Sequence, residues 1–352
     1  MELVARLLVG ALYLFSSVSK AIDPYGTVLK VEEYLYAMGA EWMSVCANPL
    51  AVGLIGFEML LGAALILNAA PRLAARVAVV VGALFTLFTL WVAVANPVAE
   101  CGCFGDVVVL TNAQTFGKNV VLLLLSLVVL CGAKSRRGGC DARCVGAVGA
   151  MVLVVALCIY SLVRLPLVDR FPFGVGTNIP QSIADELQEE ESQTSVVCRS
   201  VATGEERHFA ATDEAWWNEQ EWEFVRVEAP ESGVKVRARD FRLMVNDHDL
   251  TAQILTMPLC RLVCVERVEE MTERQREKLL ALAAECMALG NRVVVVSASP
   301  LRKVEEMFPY MEICNMDAVT LRALLRAPYG IVTLKEGTVM HKATLCELKV
   351  EN

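Results

Sequence analysis

Five long apolar stretches fall within the first 165 residues, and no other feature restricts the fold of this chain as strongly. They run over roughly Leu3–Ala21, Ala47–Asn68, Leu73–Ala95, Gln114–Ala133 and Cys144–Leu165. Each is close to the ~20 residues a helix needs to cross a hydrocarbon core. Backbone groups there must pair within their own segment, so helices are expected. The fourth stretch opens with Thr111-Asn112-Ala113-Gln114, a capping-box pattern that predicts a helix start at that point. Composition agrees, because 55% hydrophobic against 20% charged residues is too apolar for an ordinary soluble enzyme.

Basic residues give the orientation. Arg72 and Arg76 lie between the second and third spans, and Lys134, Arg136, Arg137 and Arg143 between the fourth and fifth. The positive-inside rule puts both connections in the cytoplasm. The N-terminus is then cytoplasmic, and the segment Asp23–Glu41 is expected as an outward loop. Everything after the fifth span lies outside, which for a multi-pass protein of the bacterial inner membrane is the periplasm. A signal peptide cleaved near Ser17-Val18-Ser19 would leave the other spans oriented identically. The net charge of −8 argues against nucleic acid as a partner, leaving membrane lipid and a periplasmic protein.

One connection on the outer side reads Glu100-Cys101-Gly102-Cys103-Phe104-Gly105-Asp106. Residues two apart span at most about 7 Å between Cα atoms, which overlaps the range a disulfide bridges. Gly102 removes the side chain that would crowd so tight a ring. Disulfides persist on that side of the membrane, so thiol–disulfide exchange is the expected chemistry. Cys140 and Cys144 flank the basic cytoplasmic turn and are expected as free thiols. Cys46, Cys131, Cys158, Cys260, Cys264, Cys286 and Cys314 read as small buried hydrophobes. There is no Cys-x-x-Cys pair, and His208, His248 and His341 are isolated, so no metal is expected.

Glu58 falls about 15 Å into the second span. A carboxylate there is costly unless paired or protonated, which makes it a candidate for handling protons. Ser16, Ser19 and Lys20 of the first span lie at a depth from which they could reach it. In the alternative reading Glu58 is neutral and hydrogen-bonded, and Lys20 snorkels to the surface. Gly53, Gly56 and Gly62 are expected to let the second span pack closely.

Together these residues carry a resemblance. Ser16-Ser17-Val18-Ser19-Lys20-Ala21-Ile22-Asp23-Pro24, Tyr34, Gly56-Phe57-Glu58 with Gly62, and Cys101-Gly102-Cys103-Phe104-Gly105-Asp106 with Lys118-Asn119 resemble the DoxX/MauE group of membrane proteins. The resemblance covers about the first 135 residues. It implies a four-helix membrane bundle, to which residues 136–168 add a cytoplasmic loop and a fifth span. It also implies a redox role. MauE is associated with methylamine utilisation and with disulfide formation in methylamine dehydrogenase. DoxX relatives include a subunit of a thiosulfate:quinone oxidoreductase. Asp23, Phe104, Gly105 and Asp106 are supporting site candidates on this basis.

Residues 169–194 read as a linker with Pro172, Gly174, Gly176 and Pro180 and an acidic run through Glu191. Residues 195–352 read as an extracytoplasmic α/β domain. Val196–Val201 and Arg207–Ala210 suggest a hairpin, and Phe224–Val227 and Val234–Val245 further strands. Strands at Leu259–Glu266, Arg292–Ser297 and Glu312–Asn315 are expected to alternate with helices at Glu273–Gly290, Leu301–Phe308 and Ala318–Arg326. A hairpin, Ile331–Leu334 with Thr338–Lys342, turns at Glu336-Gly337. This order, with Ala327-Pro328 before the hairpin, resembles a thioredoxin-like domain, which would make Pro328 a cis proline on the substrate-facing surface. Cysteine is missing from the segment Arg267–Glu273, where active thioredoxins carry their pair, so the domain reads as a redox-inactive docking or stabilising module. Trp216, Trp217 and Trp222 are expected to pack around the first hairpin.

Three functions fit. The first is a thiol–disulfide relay through Cys101 and Cys103, with Glu58 handling protons and electrons passing to an internal carrier such as a quinone. The second is a membrane anchor or assembly factor in which the two cysteines form a static disulfide. The third is an ion-coupled transporter using Glu58 and Lys20, which lacks an inverted repeat or broken helices to support it.

Overall fold

A computed structural model describes residues 1–98, 102–103, 110–133, 142–165, 169, 171–210, 212–228, 236–345 and 347. The chain divides into two compact units, Met1–Arg170 and Phe171–Asn352.

The first unit is helical: α1 (Glu2–Ile22), α2 (Pro24–Ala37), α3 (Ala47–Leu67), α4 (Pro71–Ala95), α5 (Asn112–Gly132) and α6 (Ala142–Val163). Five of these are long and apolar enough to cross a membrane, the span of α3 including a short 3-10 turn, Glu41–Cys46. The expected spans match to within a few residues. The Thr111 capping box forms, with Thr111 Oγ1 accepting from the Gln114 amide and Gln114 Oε1 accepting from the Thr111 amide. The expected outer loop Asp23–Glu41 is a correction, because most of it is α2. Pro24 stands at the first helical position, where its fixed φ favours a helix start.

Helices α1 and α3 cross closely. A Cβ on Gly62 would come within 2.9 Å of the Gly10 carbonyl, and the Ser17 hydroxyl donates to the Ile55 carbonyl at 2.8 Å. These pairings run antiparallel and bring Glu58 against the polar end of α1. Gly56 likewise lets α6 approach, since a Cβ there would meet Val155 at 2.7 Å. Gly53, expected to do the same, has no neighbour within 4 Å. Apolar layers lie on either side of the polar one, Val9, Leu61, Ala75 and Val129 in one and Ala21, Ile55, Val154 and Cys158 in the other.

The second unit is mixed α/β. Strands β1 (Ser195–Ser200), β2 (Glu206–Ala210) and β3 (Trp222–Glu228) form a small antiparallel sheet with β1 central. Trp216 and Trp222 pack against its buried residues, whereas Trp217 is exposed. The larger sheet contains β4 (Met244–Val245), β5 (His248–Asp249), β6 (Cys260–Val265), β7 (Arg292–Ser297), β8 (Glu312–Asn315), β9 (Tyr329–Lys335) and β10 (Thr338–Thr344). Its order is β10-β9-β6-β7-β8-β4-β5. Strands β6, β7 and β8 are parallel, and β9 and β10 complete it antiparallel. Helices Glu273–Ala288, Leu301–Met307 and Ala318–Leu325 connect them.

Several expectations for this unit change. Much of the supposed linker is a helix, Ile179–Gln193, capped by Asn178 and carrying Glu190 paired with Arg239. Among the described residues of the strand expected over Val234–Val245, only Met244–Val245 forms one, and a 3-10 turn occupies Ala238–Asp240. The described residues contain no cis peptide bond, so Pro328 is trans.

Candidate functional site

Helices α1 and α3 and the segment carrying Cys103 meet at a buried charged cluster. Glu58 sits on α3 and is 3% exposed, and Lys20, two residues before the end of α1, is 4% exposed. Lys20 Nζ lies 2.7 Å from Glu58 Oε1 and 2.8 Å from Oε2, a two-pronged ion pair. The expectation that Lys20 snorkels outward is therefore overturned. A charge in an apolar surrounding is tolerated only beside its opposite with the remaining hydrogen-bonding groups served, and Glu58 supplies that opposite one helix away.

Ser16 completes the cluster. Its Oγ accepts from Lys20 Nζ at 2.9 Å and lies 2.9 Å from Glu58 Oε2 and 2.7 Å from the carbonyl oxygen of Cys103. One turn separates Ser16 from Lys20, so both reach the same point. Ser19 faces inward too and donates to the Ser16 carbonyl at 3.0 Å. Asp23 is buried at the joint between α1 and α2.

The segment carrying the cysteines is tied down at both ends. Asn96, in the left-handed conformation at the end of α4, accepts from Asn112 Nδ2 at 2.6 Å, and the Val98 carbonyl accepts from the same group at 2.8 Å. Gly102 has φ +66° and packs on the Lys30 side chain, so a side chain here would be both strained and crowded. Cys103 is half-buried. Cys101, Phe104, Gly105 and Asp106 lie outside the described residues.

Beside the cluster is a cavity of about 330 Å³. Its wall combines Tyr13, Lys20 and Glu58 with Leu54, Phe85 and Cys103. The α2 residues Thr27, Lys30, Val31, Tyr34 and Leu35, with Met38 just past its end, add a stripe at helical spacing. Tyr34 meets Phe88 edge-on at 5.0 Å between ring centroids. Lys118 and Asn119 of α5 close another side, with Asn119 Nδ2 donating to Thr89 Oγ1 at 3.1 Å. Sequence reasoning missed the α2 contribution because it treated that segment as a loop. The repeat of inward residues behind Asp23-Pro24 was the available signal.

Pro328 lies in the other unit, ahead of β9. There the segment after β6 is held by polar contacts of its own. Glu269 accepts from the Ser299 hydroxyl at 2.7 Å and pairs with Lys303 at 2.7 Å, and Ser299 accepts from the Val268 amide. Lys303, then Ser299, hold the Glu269 carboxyl down at about 2. Cys260, Cys264, Cys286 and Cys314 are buried as expected, but Cys46 and Cys131 are exposed on the surface of the first unit.

These features define a multi-pass helical membrane protein with a buried Lys–Glu pair beside a cysteine-bearing connection, followed by a mixed α/β unit. Residues 1–132, most of the membrane unit, match the family model described as Methylamine utilisation protein MauE. No curated protein and no solved structure matches the chain at a significant level.

Proposed function

We propose that this protein is a membrane thiol–disulfide relay. Cys101 and Cys103 cycle between dithiol and disulfide on the non-cytoplasmic side, serve a client protein there, and exchange electrons with a carrier inside the bundle. The observation that carries this reading is the 2.7 Å contact between Ser16 Oγ and the Cys103 carbonyl. It joins the backbone of one thiol residue to the buried Lys20–Glu58 pair on the cavity wall.

The chemistry follows from what each group can hold. Opening a disulfide to a dithiol takes two electrons and two protons. Glu58 can carry a proton when neutral, and Lys20 balances its charge when ionised. The family description supports a client among the proteins of methylamine utilisation. The basic connections support a cytoplasmic N-terminus and a periplasmic α/β unit.

Three parallel strands followed by an antiparallel pair, in the order β8-β7-β6-β9-β10, support a thioredoxin-like reading of that unit, from which the trans Pro328 departs. Its strand cysteines favour a docking role over redox chemistry. Burial pushes Cys260 up to about 11, and Cys264 and Cys314 up to about 12, far from the thiolate that exchange requires.

Alkylation trapping in intact cells tests the relay. Cys101 and Cys103 should appear as a mixture of reduced and oxidised forms that shifts when respiration is blocked. A single oxidised form that never shifts would overturn the relay and leave a static anchor.

A further inference from the structure

We infer that the 330 Å³ cavity of the membrane unit is a binding site for a quinone headgroup, contacted by the Thr27 hydroxyl. This deepens the relay reading by assigning its carrier a place and a chemical class.

The volume falls at the lower end of the ~300–1,000 Å³ typical of small-molecule sites, enough for a substituted ring. The wall is mostly apolar and aromatic, including Leu50, Leu54, Phe85 and Phe88, with polar groups at few points. That is the makeup of a site that encloses a flat apolar molecule and fixes its orientation through a few contacts. Lys20, Lys30 and Lys118 line it as well, Lys20 paired with Glu58 and Lys30 with Glu33.

Thr27 distinguishes this occupant from a lipid tail. The residue lines the cavity and is 6% exposed, yet its hydroxyl has no hydrogen-bond partner. A buried hydroxyl without a partner costs about 1–3 kcal/mol, and threonine on a helix has two accessible χ1 rotamers with which to turn toward a ligand. An acyl chain offers it nothing. A quinone offers a carbonyl to which it can donate, and the reduced ring offers a hydroxyl from which it can accept, and a threonine hydroxyl does both. The electron count closes as well. Oxidation of the Cys101/Cys103 dithiol to the disulfide releases two electrons and two protons, which are what a quinone takes up in becoming the hydroquinone.

The test uses the full chain in nanodiscs with decylubiquinone, whose ring is fully substituted and cannot alkylate cysteine. The wild type should bind it saturably. Thr27→Val should bind five- to tenfold more weakly while its ligand-free melting temperature stays level or rises, because the hydroxyl it removes has no partner. Leu54→Trp, which fills the cavity, should abolish binding. Alkylation trapping of Cys101 and Cys103 in the same preparation reads the relay apart from the site. Saturable binding alongside cysteines that never leave the oxidised form would uphold the site and end the relay. Absence of saturable binding by the wild type would overturn the inference. So would undiminished binding by Thr27→Val, or displacement by oleate at equal concentration.

Discussion

Cys103 and Cys264 show how differently the two units treat a thiol. Cys264 lies on β6 in the centre of the larger sheet and is 1% exposed. Desolvation holds its proton on through the physiological range. Cys103 is half-buried beside a cavity, on a segment whose backbone bonds to a buried ion pair. The contrast teaches that cysteine number is a poor guide to redox chemistry in this chain. Surroundings separate Cys103, on the segment bonded to the Lys20–Glu58 cluster, from the buried cysteines of the larger sheet.

The most decisive way to break this comparison is to exchange the roles. Cys103→Ser should lower client oxidation at least a hundredfold, measured as disulfide content of the client. The triple variant Cys260→Ala, Cys264→Ala, Cys314→Ala should leave that yield unchanged while lowering the melting temperature of the α/β unit. Equal losses in both would erase the distinction.

Next in size is the ion pair. Lys20→Met strands a buried carboxylate and should cost about 3–5 kcal/mol of unfolding free energy in detergent. The double variant Lys20→Met, Glu58→Leu should recover most of that stability without recovering relay activity. Full activity in the double variant would show that the pair is only structural.

A smaller effect separates the thiols directly. With the native fold intact and disulfides reduced, a maleimide at pH 7.5 should label Cys103 at least tenfold faster than Cys264 or Cys314, read by peptide mass spectrometry. Comparable rates would contradict their burial.

The smallest concerns Glu269, whose bonds to Lys303 and Ser299 lower its pKa from 4.5 to about 2 in the fold. A depressed carboxyl stabilises the folded state fully above its unfolded pKa, and that contribution fades as pH falls from about 4.5 toward about 2. Glu269→Gln should flatten the stability profile in that window and nowhere else. Its solvent exposure keeps the change modest.

The spans were legible because length and apolarity are the physics of crossing a bilayer, and the capping box at Thr111 marked a boundary to the residue. The strands from Cys260 to Thr344 were legible for a similar reason, since apolar runs alternate there with capped helices. Helix α2 was not. Its mixture of Lys30, Glu32, Glu33 and three tyrosines lacks the apolarity of a span, and its inward stripe is recognised only once a cavity lies beneath it. The Lys20–Glu58 pair was half legible. Both residues stood out as ionisable groups in apolar helices, but their meeting depends on the Gly10–Gly62 crossing, which sets the register of α1 against α3. Val234–Val245 failed as a strand because alternation of apolar and charged residues also suits a turn held by Asp240 and Glu186.

A serine hydroxyl owns a single hydrogen, and the one on Ser16 has two claimants, an oxygen of Glu58 and the oxygen of Cys103. It can satisfy either but never both at once. Any shift of the Cys103 peptide thus frees or withdraws a bond at the carboxylate. News of the cysteine segment travels to the membrane interior as a change in which oxygen one hydroxyl hydrogen points to.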